Sequence, residues 1–300
     1  MTVALATTSL RQFWPQGQPL YLLGRWCVPD GRELGPNYIL QNYPWDETAR
    51  FRSAYQYTTN VYENRLGQLA EALNRILGVP RSVEEWRIIV GPWLMFYVHA
   101  LYDRYACLKQ FIDQHHDIET LGLHPNSFQL LNDFSTSSAD LFLGELYNLQ
   151  LISQILKGMG VTMIERDMVV GAQPRSLSIF QGAKSILKDG HRAICRRGEV
   201  VIVGAGIPYS ETVKLGLKSG GRITACGSQQ DIRGMATKPN SQQRIQLAQE
   251  LSAEDEFGRI LNETIAKNMP LLYLENFAAV QKKYIVGRRT PRVCIGGSSW

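Results

Sequence analysis

Residues 86–104 read Trp-Arg-Ile-Ile-Val-Gly-Pro-Trp-Leu-Met-Phe-Tyr-Val-His-Ala-Leu-Tyr-Asp-Arg, and no other stretch narrows the options of this chain so far. Between Trp86 and Tyr102 the only formal charge is Arg87, while two tryptophans, two tyrosines and a phenylalanine crowd the span. Such a segment has to be buried. Crossing a membrane takes roughly 20 apolar residues, and this run is shorter, closed by Arg87 on one side and by Asp103 and Arg104 on the other. It predicts a core helix, kinked or broken at Gly91 and Pro92, where proline removes a backbone donor. Charges at the edge of such a core survive only when paired, so Asp103 and Arg104 either tie two layers together or line a cleft.

The rest of the chain can support that core. Its 300 residues are 44% hydrophobic and 20% charged, the balance of a soluble globular protein with one large domain or two ordinary ones. The formal charge of +5 is mild, and no dense Lys/Arg stripe with interleaved aromatics occurs, which argues against nucleic acid as a partner. Acidic or phosphate-bearing small substrates remain compatible with it. Cys27, Cys107, Cys195, Cys226 and Cys294 are scattered, with no Cys-x-x-Cys pair and no metal-spaced histidines. They read as reduced thiols of a cytoplasmic protein, and the opening residues do not have the pattern of a secretory signal.

Taken in order, 19–24 is a short apolar run ended by glycine and 38–41 a second, both predicted as strands. Arg25 and Trp26 then fall at the carboxyl end of the first, where open α/β sheets gather ligands, or on a solvated loop. Trp45 and Asp46 follow the second. They could stack on and hydrogen-bond a sugar-like ring, although Asp46 as N-cap of the next helix is the simpler expectation. Residues 47–77 predict one long helix with Phe51, Tyr55, Tyr62, Leu66, Leu69 and Leu73 on its apolar positions. Ser82 and Glu85 form a capping-box signature for the central stretch, which runs on to His115. His115, His116 and His124 find no carboxylates at ligand spacing, and the adjacent His115 and His116 point to different faces, so they read as a histidine pair at a helix end rather than a metal site. A third helix is predicted over 137–156. Glu145 and Asn148, three apart on one face of it, can orient a substrate hydroxyl and accept its proton, or form an ordinary exposed face.

After residue 158 the texture changes to β-branched runs at 161–164, 200–203, 222–225 and 291–295, predicting strands of a largely parallel sheet, with helices over 208–218 and 242–268. The expected organisation is therefore residues 1–160, strands plus a long helical layer, and 161–300, a Rossmann-like α/β portion. Gly204 and Gly206 follow a strand, but Tyr209 stands where the third glycine of a dinucleotide fingerprint belongs, so a nucleotide-dependent oxidoreductase is only a third reading. The basic cluster Lys282, Lys283, Arg288, Arg289 and Arg292 suits a solvated face, an acidic glycan or a membrane surface.

Segments 21–27, 43–46, 71–74, 86–94, 102–104 and 145–148 together resemble a family of transferases encoded in O-antigen and other surface-polysaccharide gene clusters. The resemblance covers most of the first 160 residues and is weaker over 165–240. It implies an α/β fold with a Rossmann-like parallel sheet and a large helical insertion, the N-terminal domain of a GT-B-like glycosyltransferase. It also implies a distant relation to bacterial transferases that move Kdo from its CMP-activated form.

On that resemblance the substrates would be a nucleotide sugar, CMP-linked in the related enzymes, and a glycan acceptor. No separate cofactor is called for, and without an Asp-x-Asp motif no metal is expected. The carboxylate candidates for catalysis are Asp46, Glu145 and Asp103; Arg25, Trp26, Trp45, Arg87, Arg104 and Asn148 are the candidates for substrate binding. The enzyme would work in the cytoplasm, at the inner face of the membrane if its basic residues bind there. Members of that family are markedly longer, which predicts that this chain is an N-terminal half whose C-terminal GT-B half is missing or separately encoded. A truncated, non-catalytic domain that binds a glycan or a partner is the alternative.

Overall fold

The computed structural model describes residues 2–17, 19–28, 35–132, 144–168, 200–203, 209–226, 238–279 and 293–296. In chain order these form strands β1 (Val3–Ala6), β2 (Leu20–Leu22) and β3 (Tyr38–Leu40), then helices α1 (Thr48–Leu77), α2 (Val83–Ile89) and α3 (Gly91–Gln114). Strand β4 (Ile118–Leu123), helix α4 (Glu145–Gly158) and strand β5 (Ile164–Arg166) follow. Strand β6 (Val200–Val203), helix α5 (Tyr209–Lys218), strand β7 (Ile223–Cys226), helices α6 (Ser241–Glu250) and α7 (Glu256–Asn268) and strand β8 (Val293–Gly296) complete the set. They fall into two compact units, residues 1–170 with 238–275, and 171–237 with 276–300.

In the first unit five parallel strands form one sheet in the order β3-β2-β1-β4-β5. This is the α/β, Rossmann-like arrangement expected. Because β2 and β3 lie on one side of β1 and β4 and β5 on the other, the chain reverses direction across the sheet between β1 and β4. Ligands of such sheets bind outside the carboxyl ends of the strands at that point. In the second unit β6 sits between β7 and β8, again all parallel.

The central stretch becomes two helices. Val90 ends α2, and Pro92 lies in the first turn of α3, where its missing N–H has no helical partner to lose. Trp86, Trp93 and Tyr97 are fully buried. The Ser82–Glu85 capping box is present in both directions. Asn74 joins α1 to α2: its carboxamide oxygen accepts from the Trp86 indole at 2.9 Å and the Arg81 amide at 3.1 Å. Helix α1 stops at Gly78, whose φ of 65° is the left-handed turn that glycine adopts without a Cβ clash.

Several expectations are corrected. Asp46 does not cap α1, because Pro44 draws it into a short 3-10 turn and the cap position falls on Glu47, which makes no side-chain bond there. Phe51 and Tyr55 are 53% and 59% exposed, because the buried stripe of α1 begins only at Thr58. Of the helix predicted over 137–156, α4 starts at Glu145 after the extended Gly144 and runs on to Gly158, and residues 137–143 lie outside the described residues. The helix predicted over 242–268 is two, because Asp255 accepts from the Gly258 amide at 2.6 Å and starts a new one. The run at 161–164 gives a strand only from Ile164, and it joins the first sheet. Gly204, Gly206 and the basic cluster at 282–292 lie outside the described residues.

Helices α3, α4 and α7 meet through a buried polar network. Asn268 donates to Tyr97 Oη (3.0 Å), Gln154 Oε1 (2.6 Å) and the Thr264 carbonyl (2.9 Å), and accepts from Gln150 Nε2 at 2.8 Å. Arg244 on α6 forms a two-pronged pair with Glu275 at 2.7 and 2.8 Å and donates to the Ala266 and Met269 carbonyls at the end of α7. Its guanidinium thus closes carbonyls that the helix itself leaves open. No helix of the described residues is long and apolar enough to cross a membrane.

Candidate functional site

Strand β1 runs out at Ala6 into Thr7, Thr8 and Ser9, and the neighbouring loops hold these residues from both sides. The Trp14 indole donates to the Thr8 carbonyl at 2.7 Å and the Trp26 indole to the Thr7 carbonyl at 3.2 Å. Trp26 lies this close because Gly24 precedes it: a Cβ on Gly24 would run into the six-membered ring of that indole. Cys27 in the same turn is fully buried against the Ala6 carbonyl, and burial pushes its thiol up to about 12, out of the range of a nucleophile.

Glu145 closes this loop from α4. Its Oε2 accepts from Thr8 Oγ1 at 2.7 Å and from the Ser9 amide at 3.4 Å. As the first residue of α4 it also sits where the helix dipole favours a negative charge. In Rossmann-like folds the loop after the first strand offers such donors to a phosphate. Here a carboxylate of the protein takes them.

A second polar chain starts from the loop after β3. Tyr43 Oη and the Trp45 indole both donate to Asp103 Oδ1 at 2.6 Å. Asp103 Oδ2 lies 3.5 Å from Arg104 Nη1, and Arg104 donates to Asn148 Oδ1 through Nε (3.2 Å) and Nη2 (2.7 Å). Asn148 Nδ2 then donates to the Gly144 carbonyl at 3.0 Å, next to Glu145. Desolvation lowers the affinity of Arg104 for its proton, and neighbouring Asp103 opposes that shift; a guanidinium keeps its charge in either case. Burial and the Asp103 carboxylate both hold the Tyr43 hydroxyl in its neutral, donating form. Trp45 stacks on Tyr102 at 6.0 Å, and Tyr102 continues into Tyr57, Tyr105 and Phe257.

The structure thus brings Trp45, Asp103, Arg104, Asn148 and Glu145 into one connected assembly, with Trp26 beside it. Arg25 and Asp46 are exposed on the turns after β2 and β3, and neither makes a side-chain hydrogen bond among the described residues. Arg87 stands apart: it pairs in two prongs with Glu63 at 2.6 and 2.7 Å, bracing α2 on α1 in solvent. Thr8 and Tyr43 were not singled out, although Tyr43 stands in the Tyr-Pro-Trp-Asp segment whose proline stiffens the loop.

His124 likewise turns out to end β4. Its Nδ1 accepts from the Asn126 amide at 3.3 Å and lies 3.2 Å from Asp167, with Glu165 3.8 Å from Nε2. Those carboxylates come from the end of β5, some forty residues on, which local spacing cannot reveal. Among the described residues no cluster of three such side chains is arranged to hold a metal.

The sequence profile of a family described as LIC12162 family transferase matches residues 3–300, and the chain belongs to that family. No curated protein and no solved structure matches the chain.

Proposed function

We propose, from membership of this transferase family, that the chain forms the acceptor side of a glycosyltransferase moving a sugar from a nucleotide-activated donor to a surface-polysaccharide acceptor. What supports the reading most is the continuous polar chain from Tyr43 and Trp45 through Asp103, Arg104 and Asn148 to the loop that Glu145 closes, all at the carboxyl edge of a parallel sheet. Trp45 offers a flat apolar ring beside carboxylates, which suits a sugar ring with its hydroxyls. The loop after β1 gives its donors to Glu145 instead of a phosphate, in keeping with an acceptor side rather than a nucleotide site.

In this reading the acceptor hydroxyl loses its proton as its oxygen closes on the anomeric carbon, and the nucleotide departs with the electrons of the bond it held. Asp46 is the carboxylate open to that proton, and Arg25 the cation open to an anionic group. Asp103 and Glu145 hold the loops that present them. The test is transfer by the complete protein from a panel of sugar nucleotides, CMP-linked sugars included, to glycan acceptors. Asp46→Asn should lower the rate by about 10²-fold or more, the contribution of a positioned general base, and Glu145→Gln should lower it as well, by loosening the loop after β1 that its carboxylate holds. Wild-type rates in both would remove these residues from the site, and saturable glycan binding without turnover would make the chain a binding domain instead.

A further inference from the structure

Helix α7 buries two asparagines and serves them unequally. Asn268 is bonded to Tyr97, Gln150, Gln154 and Thr264, whereas Asn262, on the same helix and 7% exposed, makes no side-chain hydrogen bond with any described residue. Its Oδ1 is closed off from solvent without a donor. A buried acceptor left unmet is costly, and leucine, close to asparagine in length, would avoid that cost at this position. Buried polar groups that the fold does not satisfy point to something outside it.

The Asn262 side chain forms part of the wall of an open cavity of about 520 Å³ between the end of α6 and α7, a volume in the range of small-molecule sites. Ala248, Leu251 and Ala253 supply its apolar part. Glu254, Asp255, Glu256 and Glu263 line it with four carboxylates against one guanidinium, that of Arg259. Arg259 is already engaged, with Glu263 at 3.3 Å and with the Gly158 carbonyl. Two further cations act on this wall only through space. Buried Arg65 faces Asp255 while its Nη1 donates to Gln68 and the Ser252 carbonyl, and Lys109 faces Glu256 while paired with Asp113 at 2.8 Å. Asp255 and Glu256 accept from Tyr57 Oη at 2.6 Å and Tyr105 Oη at 2.8 Å, neutral donors that leave both charges in place. Asp255 also caps α7, whose positive end offsets part of its charge. Glu254 is exposed and makes no side-chain hydrogen bond or ion pair among the described residues. What the cavity has in excess is negative charge and acceptors.

We propose that this cavity binds an aliphatic polyamine, with one ammonium donating to Asn262 Oδ1 and another among Glu254, Asp255 and Glu256. An ammonium carries donors alone, which is what an excess of acceptors calls for, whereas a sugar hydroxyl brings lone pairs of its own. Neither end of the Asn262 carboxamide is fixed by a bond, so the side chain can turn Oδ1 toward a donor in the cavity. Along the helix axis Glu256 and Asn262 are about 9 Å apart, too far for one ammonium and suited to two joined by methylenes. Those methylenes lie over Ala248 and Leu251. Among the described residues no three His, Cys, Asp or Glu side chains are arranged to hold a metal, so the cation is an organic one. The site is built on α6 and α7 and stands apart from the transfer reaction.

The experiment is calorimetric titration of spermidine into the full chain at about 0.15 M salt, where loose counter-ion binding is screened. Butylamine, which carries a single ammonium, and glucose are the comparisons. Spermidine should bind saturably, in equimolar amount, and at least about ten-fold more tightly than butylamine, since charge-assisted hydrogen bonds form at both ends. Glu254→Gln, a surface change, should weaken binding several-fold, and Asn262→Leu by at least about ten-fold. Asn262→Leu should also leave the denaturation midpoint of the ligand-free protein unchanged or raised, because it removes an acceptor that nothing meets. A midpoint lowered by that variant would mean that the fold itself uses Asn262, and it overturns the proposal. So do an absence of saturable spermidine binding, butylamine or glucose binding as tightly, and spermidine binding undiminished in either variant.

Discussion

Among the helices, Asn268 donates side-chain hydrogen bonds to Tyr97, Gln154 and Thr264, accepts one from Gln150 and is 1% exposed, whereas at the carboxyl edge of the sheet the side chains of Asp46 and Arg25 make none with any described residue. Both regions are rich in polar groups. In the first, low dielectric makes every unmet donor or acceptor costly, so the network is closed. At the edge, Asp103 and Glu145 hold the loops while neighbouring side chains keep open valences. A polar group with its bonds committed inside the protein specifies the fold, and one held in place with bonds to spare is available to a ligand.

The comparison breaks most visibly at Arg244. Its removal strands Glu275, whose side chain is 2% exposed, and reopens carbonyls at the end of α7. Arg244→Ala should cost about 3–5 kcal/mol, read as a fall in the urea midpoint, because a buried charge loses its partner. An edge variant should behave oppositely. Trp45→Phe keeps a ring on Tyr102 but drops the indole bond to Asp103, which Tyr43 and Arg104 still satisfy. It should cost only about 1 kcal/mol of stability. Transfer should nevertheless fall by about ten-fold or more in a rate assay, since small misplacements at a site are expensive.

The smallest effect belongs to the surface. Arg87 holds the Glu63 carboxyl below its ordinary range, so their pairing contributes above the range where an unfolded glutamate titrates and is lost as pH falls through the folded value. Both side chains are nearly half exposed, so Glu63→Gln should cost under about 1 kcal/mol in urea melts at neutral pH and nothing in strong acid.

Much of the scaffold could be read from local pattern. Helix α1 was legible because residues 47–77 lack proline and repeat their apolar positions, and the break before α3 because proline has no N–H for a helix interior and fits only a first turn. Strands β1 and β4 were not. Val3–Ala6 is too short to show a period, and in Ile-Glu-Thr-Leu-Gly-Leu polar residues and a glycine interrupt the run that a buried strand usually shows. Yet these two strands define the reversal in the sheet, so the place of the site was hidden even though Glu145, Asp103, Arg104 and Asn148 had been singled out. What local pattern lacks is the pairing across the fold: Thr8 with Glu145 spans 137 residues and Trp45 with Asp103 spans 58.

Gly24 carries a consequence for the gene. Glycine codons differ from those of other amino acids at one of their first two bases, and every missense change at this codon adds at least a Cβ. That atom would fall on the Trp26 indole, whose N–H steadies the loop after β1. Position 24 therefore has no mild allele: in a saturation library scored for activity it should be depleted for all substitutions, alanine included, although its backbone is extended and open in conformation to any residue.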